Sequence, residues 1–211
     1  MDHYIVYKGR QIAFAAMQKG YLPALMPWIN DPKATAGVLT TPPIMLEAEE
    51  EWIARLAKGS ASDVVFAILA REDEGWRYIG HTGLHKITWP AATASSGTFI
   101  GDTSTHQKGY GTEAKLWLLY HAFRVLGLRK VTSEVKDFNG NSFGHLLRCG
   151  YGVVGVRKKQ HFYDGAYVDE IVFEIFREDF EPRWKDYQET GELPKLTDEQ
   201  RALIQKYSGE K

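Results

Sequence analysis

Cysteine and long apolar runs are nearly absent from this chain. Cys149 is the single cysteine among 211 residues, which excludes an internal disulfide and predicts a reducing, cytoplasmic environment. No apolar stretch approaches the roughly 20 residues that a membrane span requires. The first residues, MDHYIVYKGR, also lack the apolar core of a secretion signal. The sequence therefore predicts a cytoplasmic protein without a membrane partner.

An excess of charge of either sign is absent as well. The chain has 26 Lys and Arg against 27 Asp and Glu, and this near-zero balance predicts no nucleic-acid partner. Hydrophobic residues make up 44% of the chain and aromatic residues 13%, which suits a packed domain with a groove. We expect one domain over residues 1–177 and a polar, proline-punctuated extension over residues 178–211 that is partly helical.

The spacing of apolar residues predicts a sheet interrupted by helices. The predicted order is a strand, two helices, three antiparallel strands, a helix, a strand, a helix and two strands. This order is typical of an α+β fold with a mixed, mostly antiparallel central sheet flanked by helices. In the extension, TDEQRALIQKY predicts a helix capped by Thr197 or Asp198.

A glycine turn joins the third antiparallel strand, ATASSGTFIGD, to a run that the sequence predicts to be a strongly amphipathic helix. A helix start leaves main-chain N–H groups unpaired and favours an anion, and glycine lets a ligand approach the backbone closely. A phosphate-binding cradle is therefore predicted, formed by Gln107, Lys108, Gly109, Tyr110, Gly111 and Thr112. The Walker A spacing is absent, and Ala114 stands in place of the third glycine of a dinucleotide fingerprint. An ordinary structural turn is the alternative for such a glycine pair.

Three segments in matching order resemble one family. HQKGYGTEA resembles motif A of the GNAT N-acetyltransferases, and NGNSFGHLLRCGY resembles their motif B. PWINDPKATAGVL resembles the first-helix region of the subgroup that includes ribosomal-protein N-terminal and spermidine acetyltransferases. The resemblance covers roughly Gln11 to Arg177 and implies the GNAT fold, with acetyl-CoA as cosubstrate, an amine as acceptor and no metal. A homodimer is possible on the same ground.

The resemblance also implies roles for particular residues. The cradle matches the family's pyrophosphate loop, although His106 stands where the pattern has Gln or Arg. The strand before the loop, which in the family bulges and pairs with the pantetheine arm, maps to Phe99, Ile100 and Gly101. Asn139 and Ser142 match residues near the thioester end of the cofactor, with Asn141 as an alternative cap for the second helix.

Glu134 is the predicted catalytic residue, because relatives acting on protein N-termini carry a glutamate base at this place before motif B. A partly buried groove would raise the pKa of its carboxyl group and help it accept a proton, and a solvated strand residue is the alternative. The tyrosine that many relatives use as general acid falls on Leu146. Tyr110, Tyr151, Tyr163 or water are the remaining donors.

Two histidines of the predicted sheet are candidate metal ligands. His81 and His85 are four residues apart, but no third ligand accompanies them, so the sequence does not predict a metal site.

The predicted function is direct acetyl transfer in a ternary complex, to a protein N-terminus, a polyamine or a small metabolite. The alternatives are a noncatalytic acyl-CoA-binding regulatory module and a nucleotide-binding module.

Overall fold

The computed structural model describes residues 2–38 and 42–207. Leu39, the last residue of the segment that resembles the first-helix region, and residues 208–211 of the predicted extension lie outside them. The strands are β1 (Ile5–Lys8), β2 (Ile12–Ala16), β3 (Val64–Glu72), β4 (Gly75–Thr88), β5 (Thr93–Ile100), β6 (Lys130–Lys136), β7 (Gly152–Tyr163) and β8 (Ala166–Phe176). The helices are α1 (Leu22–Ile29), α2 (Pro32–Thr35), α3 (Leu46–Ala57), α4 (Tyr110–Tyr120), α5 (Gly140–Cys149), α6 (Arg177–Thr190) and α7 (Asp198–Tyr207).

All the described strands form one sheet in the order β1-β2-β3-β4-β5-β6-β8-β7. Neighbouring strands are antiparallel except β5 and β6, which are parallel. The predicted α+β class with a mixed, mostly antiparallel sheet is therefore confirmed. None of the helices in the described ranges is both long and apolar enough to cross a membrane.

Side chains along the strands alternate between the two faces of the sheet, and each face packs into its own hydrophobic core. Ile12 and Phe14 of β2 join the core beneath α4, α5 and α6, whereas Ala13 and Ala15 join the core beneath α1 and α3. Successive side chains of a strand point to opposite faces, so a strand buried on both sides reads as a continuous apolar run. We call these two sides of the sheet the α1 face and the α4 face.

The sheet opens into a wedge between β5 and β6. Pairing between these strands is confined to Thr93–Ser95 and Lys130–Thr132 in the part of the chain described. The branch point is held on the α4 face by the Ser96 hydroxyl, which donates to the Thr132 carbonyl at 3.1 Å. The same oxygen lies 2.9 Å from the Tyr151 hydroxyl and accepts from Lys115 Nζ at 3.1 Å. The rest of β5 therefore has an edge that is not paired with β6 and that faces the wedge.

Three elements differ from the sequence-based prediction, and one of them is the four-residue helix α2, which was not predicted. β1 is a short edge strand that was not predicted, and its residues alternate between half-buried and exposed. α6 lies in a segment for which the sequence predicts a polar extension, yet Phe180, Trp184 and Tyr187 are buried in the main core. Their spacing places them on one face of the helix. The predicted boundary at residues 177 and 178 coincides with the start of α6, and the division into domain and extension stays a prediction.

The predicted helix in the extension is confirmed as α7. The Thr197 hydroxyl accepts from the Gln200 N–H at 3.2 Å, and the Gln200 side chain accepts from the Thr197 N–H at 3.1 Å. This reciprocal pair is a capping box, which makes Thr197 the cap in preference to Asp198. Gln200 Nε2 also donates to the Leu147 carbonyl at 2.9 Å and so ties α7 to α5.

Candidate active site

The predicted cradle lies between the open edge of β5 and the first turn of α4. Gly109 caps α4 with φ at 90° and ψ at -7°, a left-handed conformation that favours glycine. Gln107 also has a positive φ, at 63°. These two left-handed residues turn the chain sharply just ahead of the helix.

The main-chain N–H groups of this turn have no acceptor within residues 2–38 and 42–207. Among the described residues, no protein group accepts a hydrogen bond from the main-chain N–H of Gln107, Lys108, Gly109, Tyr110 or Gly111. The Thr112 and Glu113 N–H groups, by contrast, both donate to the Gly109 carbonyl at 3.0 Å. A run of free donors at the positive end of a helix is an anion-binding arrangement.

A cavity of about 960 Å³ opens beside the cradle and continues along the wedge. Most of the residues predicted to bind the cofactor line this cavity. They are Phe99, Ile100, Gln107, Gly109, Tyr110, Gly111, Thr112, Asn139 and Ser142. Gly101 and Lys108 do not line it. Gly101 is buried against Trp28, whose ring would lie 2.5 Å from a Cβ atom placed there, and Lys108 is exposed.

The cavity wall is positively charged. Lys33, Arg148, Lys195 and Arg201 line it, and no aspartate or glutamate stands among the described lining residues. The whole chain carries a net charge of -1, so this wall is a local concentration of positive charge and not a general property. His145 also lines the cavity, and burial together with the charges of Lys115 and Arg148 lowers the pKa of its imidazole to about 3.

The bulge predicted at Phe99, Ile100 and Gly101 stays a prediction. β5 pairs regularly with β4 from Gly80 opposite Ile100 to Leu84 opposite Ser96. Just beyond this range the N–H groups of Gly101 and Asp102 both donate to the Ile79 carbonyl, at 3.0 and 3.5 Å, which is typical of a β-bulge. A second irregularity lies one strand away, where β4 pairs with β3 and Ile79 is skipped. Gly80 permits it, because a Cβ atom at this position would lie 2.0 Å from the Phe99 carbonyl oxygen.

Asn139 is the cap of α5, which settles the alternative between it and Asn141. Its side-chain oxygen accepts from the Ser142 N–H at 3.2 Å, whereas Asn141 is exposed. Asn139 Nδ2 would lie 2.3 Å from a Cβ atom on Gly37, so this residue also holds the segment after α2 against the cavity.

The part of the wall that sequence reasoning missed comes from the C-terminal segment. Leu193, Pro194, Lys195 and Leu196 line the cavity, and Arg201 follows from α7. Leu193 is the closest of them to the cradle, with its Cδ1 2.6 Å from the position of a Cβ atom on Gly109. Leu193 and Leu196 are apolar residues in an otherwise polar stretch, and this is the sequence feature that could have indicated their contact with the cavity.

A smaller pocket of about 150 Å³ adjoins the main cavity on the α1 face. Val38, Thr98 and Phe99 line both spaces. Further lining comes from Ile29, His81, Gly83, His85 and Gly97. The two pockets therefore meet at the end of β5, where a molecule in one would contact a molecule in the other.

The predicted catalytic residue, Glu134, lines neither pocket. Its side chain is exposed on β6, and its Oε2 accepts from the Ser95 hydroxyl at 3.1 Å. The partly buried groove expected around this carboxylate is absent. Its role in catalysis stays a prediction.

The four positions considered for a general acid differ in access to the cavity. Leu146 is 1% exposed, and Tyr151 is buried with its hydroxyl on Ser96, where burial raises the pKa of that hydroxyl. Tyr163 stacks on Phe138 with ring centroids 4.6 Å apart. Tyr110 alone of these residues lines the main cavity.

No group of three or more His, Cys, Asp or Glu side chains that could hold a metal ion occurs in the described ranges. His81 and His85 share the small pocket, but Nδ1 of each ring already has a protein partner. His81 Nδ1 is 3.3 Å from the Tyr78 hydroxyl, and His85 Nδ1 is 3.0 Å from Asp63 Oδ1.

Comparison with known proteins agrees with this geometry. The model of the acetyltransferase (GNAT) domain family matches residues 12–152, about two thirds of the chain, so the chain belongs to this family. A relative in Bacillus subtilis (strain 168), the SPbeta prophage-derived uncharacterized N-acetyltransferase YokL, is 36% identical over 74 residues. That match covers 35% of this chain and 42% of the relative.

Two solved structures share the fold at lower identity. Spermidine N-acetyltransferase from Vibrio cholerae, in complex with CoA and spermine, has a TM-score of 0.74 and 19% identity. The match covers 81% of this chain and 98% of that chain. Mycobacterium smegmatis RimJ, in complex with CoA-disulfide, has a TM-score of 0.73 and 16% identity, covering 88% and 91% of the two chains. The GNAT fold predicted from the motifs is confirmed.

Proposed function

We propose that this protein is an acetyl-CoA-dependent N-acetyltransferase that moves the acetyl group directly to a primary amine in a ternary complex. The observation that carries the proposal is the row of unpaired N–H groups from Gln107 to Gly111 at the start of α4. It opens on a cavity walled by Lys33, Arg148, Lys195 and Arg201. A diphosphate with a long thioester arm suits both the donors and the shape of this space.

The proposed cofactor site extends from the cradle along the wedge. Main-chain N–H groups of the cradle would hold the diphosphate, and the Thr112 hydroxyl adds one donor. The unpaired edge of β5 at Phe99 and Ile100 would face the pantetheine arm. Asn139 and Ser142 would lie near the thioester, beside Val38 and the junction with the small pocket.

Direct transfer follows from the state of the single thiol. Cys149 is fully buried, donates through Sγ to the Thr112 carbonyl at 3.5 Å, and lines neither pocket. Burial raises the pKa of this thiol to about 12, so the nucleophilic thiolate is not formed near neutral pH. An acetyl-cysteine intermediate is therefore not part of the proposal, and the amine attacks the thioester itself.

The acceptor is proposed to be an amine that enters from the α1 face. The V. cholerae neighbour holds spermine, which supports a polyamine, and protein N-termini and small metabolites are the other candidates. A cytoplasmic location and a homodimer belong to the same proposal. Acetylation of a panel of amines, followed by release of the CoA thiol, tests activity and acceptor class together. Binding of acetyl-CoA without transfer to any amine would favour the noncatalytic module, and equal competition by ATP would favour the nucleotide-binding module.

Glu134→Gln is expected to lower kcat/KM for the amine and to leave acetyl-CoA binding unchanged. The carboxylate lies on the α1 face beside Ser95, outside the cofactor cavity, so its loss affects the amine alone. Steady-state rates and calorimetry with acetyl-CoA measure the two quantities. Unchanged kcat/KM would remove Glu134 from the active site.

Arg148→Ala is expected to weaken CoA binding by about tenfold while leaving dephospho-CoA binding unchanged, since a charge-assisted contact to a phosphate contributes about 1.4 kcal/mol. Lys195 and Arg201 have acidic partners in their own segment, Glu192 at 3.6 Å and Asp198 at 2.7 Å. No ion pair of Arg148 occurs among the described residues, so it is available for the 3′-phosphate of CoA. Equal weakening of both ligands in calorimetry would assign Arg148 to another part of the cofactor.

A further inference from the structure

A histidine backed by a carboxylate faces the small pocket on the α1 face. His85 Nδ1 lies 3.0 Å from Asp63 Oδ1. The other oxygen of Asp63 accepts from the hydroxyls of Ser62 at 2.7 Å and Ser60 at 3.0 Å. Burial would raise the pKa of Asp63, but the hydrogen bonds from Ser62, His85 and Ser60 outweigh it and hold the pKa below its usual value. An ionised carboxylate only accepts hydrogen bonds, so Nδ1 of His85 carries the proton and Nε2 of the neutral ring is an acceptor.

His85 Nε2 lies over a gap in the sheet made by two paired glycines. Gly83 of β4 is directly opposite Gly97 of β5. A Cβ atom on Gly83 would lie 3.0 Å from His85 Nε2, and one on Gly97 would lie 3.7 Å from it. Among the described residues, no protein group hydrogen-bonds to Nε2. The free lone pair therefore faces a space that side chains at these positions would fill.

This space adjoins the place where the thioester is proposed to lie. His85, Gly83 and Gly97 line the small pocket, and Thr98 and Phe99 continue from it into the cofactor cavity. An amine in the small pocket would have the imidazole on one side and the acyl group on the other. The side chain of His85 is 42% exposed, so a proton on its ring has a direct way to solvent.

The charged and titratable groups around His85 come from three directions. On its own strand is His81, which is half-buried, and desolvation together with the nearby His85 lowers the pKa of its imidazole to about 4 and keeps it neutral. From the loop before β3 comes Asp63. Across the sheet, Ser95 is directly opposite His85 and donates to Glu134. Neither carboxylate lines the small pocket, but Asp63 is hydrogen-bonded to His85 and Glu134 to the residue opposite it, so their negative charge favours a cationic amine nearby.

We propose that His85 takes the proton from the acceptor ammonium through Nε2, with Asp63 fixing the ring. The inference rests on the proposed function and refines it, because Glu134 then attracts the cation and His85 acts as the base. The freed amine attacks the thioester carbonyl carbon, the C–N bond forms and the C–S bond breaks. The second amine proton goes to the leaving thiolate by way of water, and His85 releases its own proton to solvent.

The test compares an alkylamine, which is protonated at neutral pH, with an arylamine, which is already neutral. His85→Gln is expected to lower kcat for the alkylamine by about 10² to 10³-fold, the usual contribution of a general base. The arylamine rate should fall less than tenfold, and the acidic limb of the alkylamine pH–rate profile should disappear. Asp63→Asn should lower the alkylamine rate in the same selective way, to a smaller extent.

Two controls separate this from a loss of folding or of cofactor binding. Calorimetry with acetyl-CoA should give the wild-type affinity for every variant. His3→Gln removes an imidazole on the same face that lines neither pocket and contacts Tyr21 and the Trp76 carbonyl, and it should keep the wild-type rates.

Equal loss on both amines, an unchanged alkylamine rate, or the selective loss appearing in Glu134→Gln alone would each overturn the assignment of His85 as base. In these cases the wild-type protein still acetylates amines, and the proposed function stands. A wild-type protein that binds acetyl-CoA but acetylates neither amine would overturn both.

Discussion

Gly109→Val is expected to weaken acetyl-CoA binding by at least about a hundredfold, which corresponds to roughly 3 kcal/mol. Gly109 has φ at 90°, where a β-branched residue is strained, and its N–H is one of the free donors of the cradle. The added side chain would also meet Leu193, whose Cδ1 lies 2.6 Å from the new Cβ position. Relief of either conflict turns the N–H groups away from their common direction.

The matched control for this substitution is Gly127→Val. Gly127 also has a positive φ, at 69°, but no atom lies within 4 Å of the Cβ position and the residue lines neither pocket. Both variants therefore introduce the same kind of backbone strain, and only one of them alters the cradle. Thermal denaturation should show similar losses of stability, whereas calorimetry should show lost binding for Gly109→Val alone. Full affinity in Gly109→Val would remove the cradle from the cofactor site.

The cradle and the fold could be predicted because local rules determine them. Glycine with a positive φ at a helix start, free N–H groups ahead of α4 and a capping box at Thr197 all depend on neighbours in sequence. The motifs around Gly109 and Asn139 then indicated the family, and the mixed, mostly antiparallel sheet followed from it. The family resemblance predicted Gly101, and the glycine turn with its positive charge predicted Lys108. Only the three-dimensional packing of Trp28 and the exposure of Lys108 exclude them from the cavity wall.

The missing parts of the site depend on contacts between segments far apart in sequence. Leu193 and Arg201 reach the cavity because α6 returns the chain across the α4 face, and α6 was concealed by polar residues and an internal proline, Pro182. Asp63 and His85 are 22 residues apart, and the β3–β4 register brings them together. A pair of histidines in a sequence shows neither that register nor the glycine gap beside it.

Glu113→Ala is expected to destabilise the protein by about 3–5 kcal/mol, the cost of leaving buried donors without their charged acceptor. Glu113 is fully buried in the first turns of α4. Its Oε1 accepts from the Arg10 N–H at 2.6 Å and from the Tyr187 hydroxyl at 2.5 Å, and its Oε2 accepts from the Gln11 N–H at 3.1 Å. One carboxylate thus joins the β1–β2 turn, the helix that carries the cradle and α6.

Two further variants are compared with Glu113→Ala to apportion the loss of stability. Tyr187→Phe removes a single donor and leaves the main-chain N–H groups satisfied, so it should cost about 1–2 kcal/mol. Glu189→Ala removes an exposed glutamate whose oxygen is 3.8 Å from Lys185 Nζ, and it should change stability by less than about 0.5 kcal/mol. Urea denaturation followed by tryptophan fluorescence measures all three free energies of unfolding. A loss in Glu113→Ala no larger than that in Tyr187→Phe would show that the two main-chain N–H groups find other partners, and that this carboxylate does not hold the β1–β2 turn to α4.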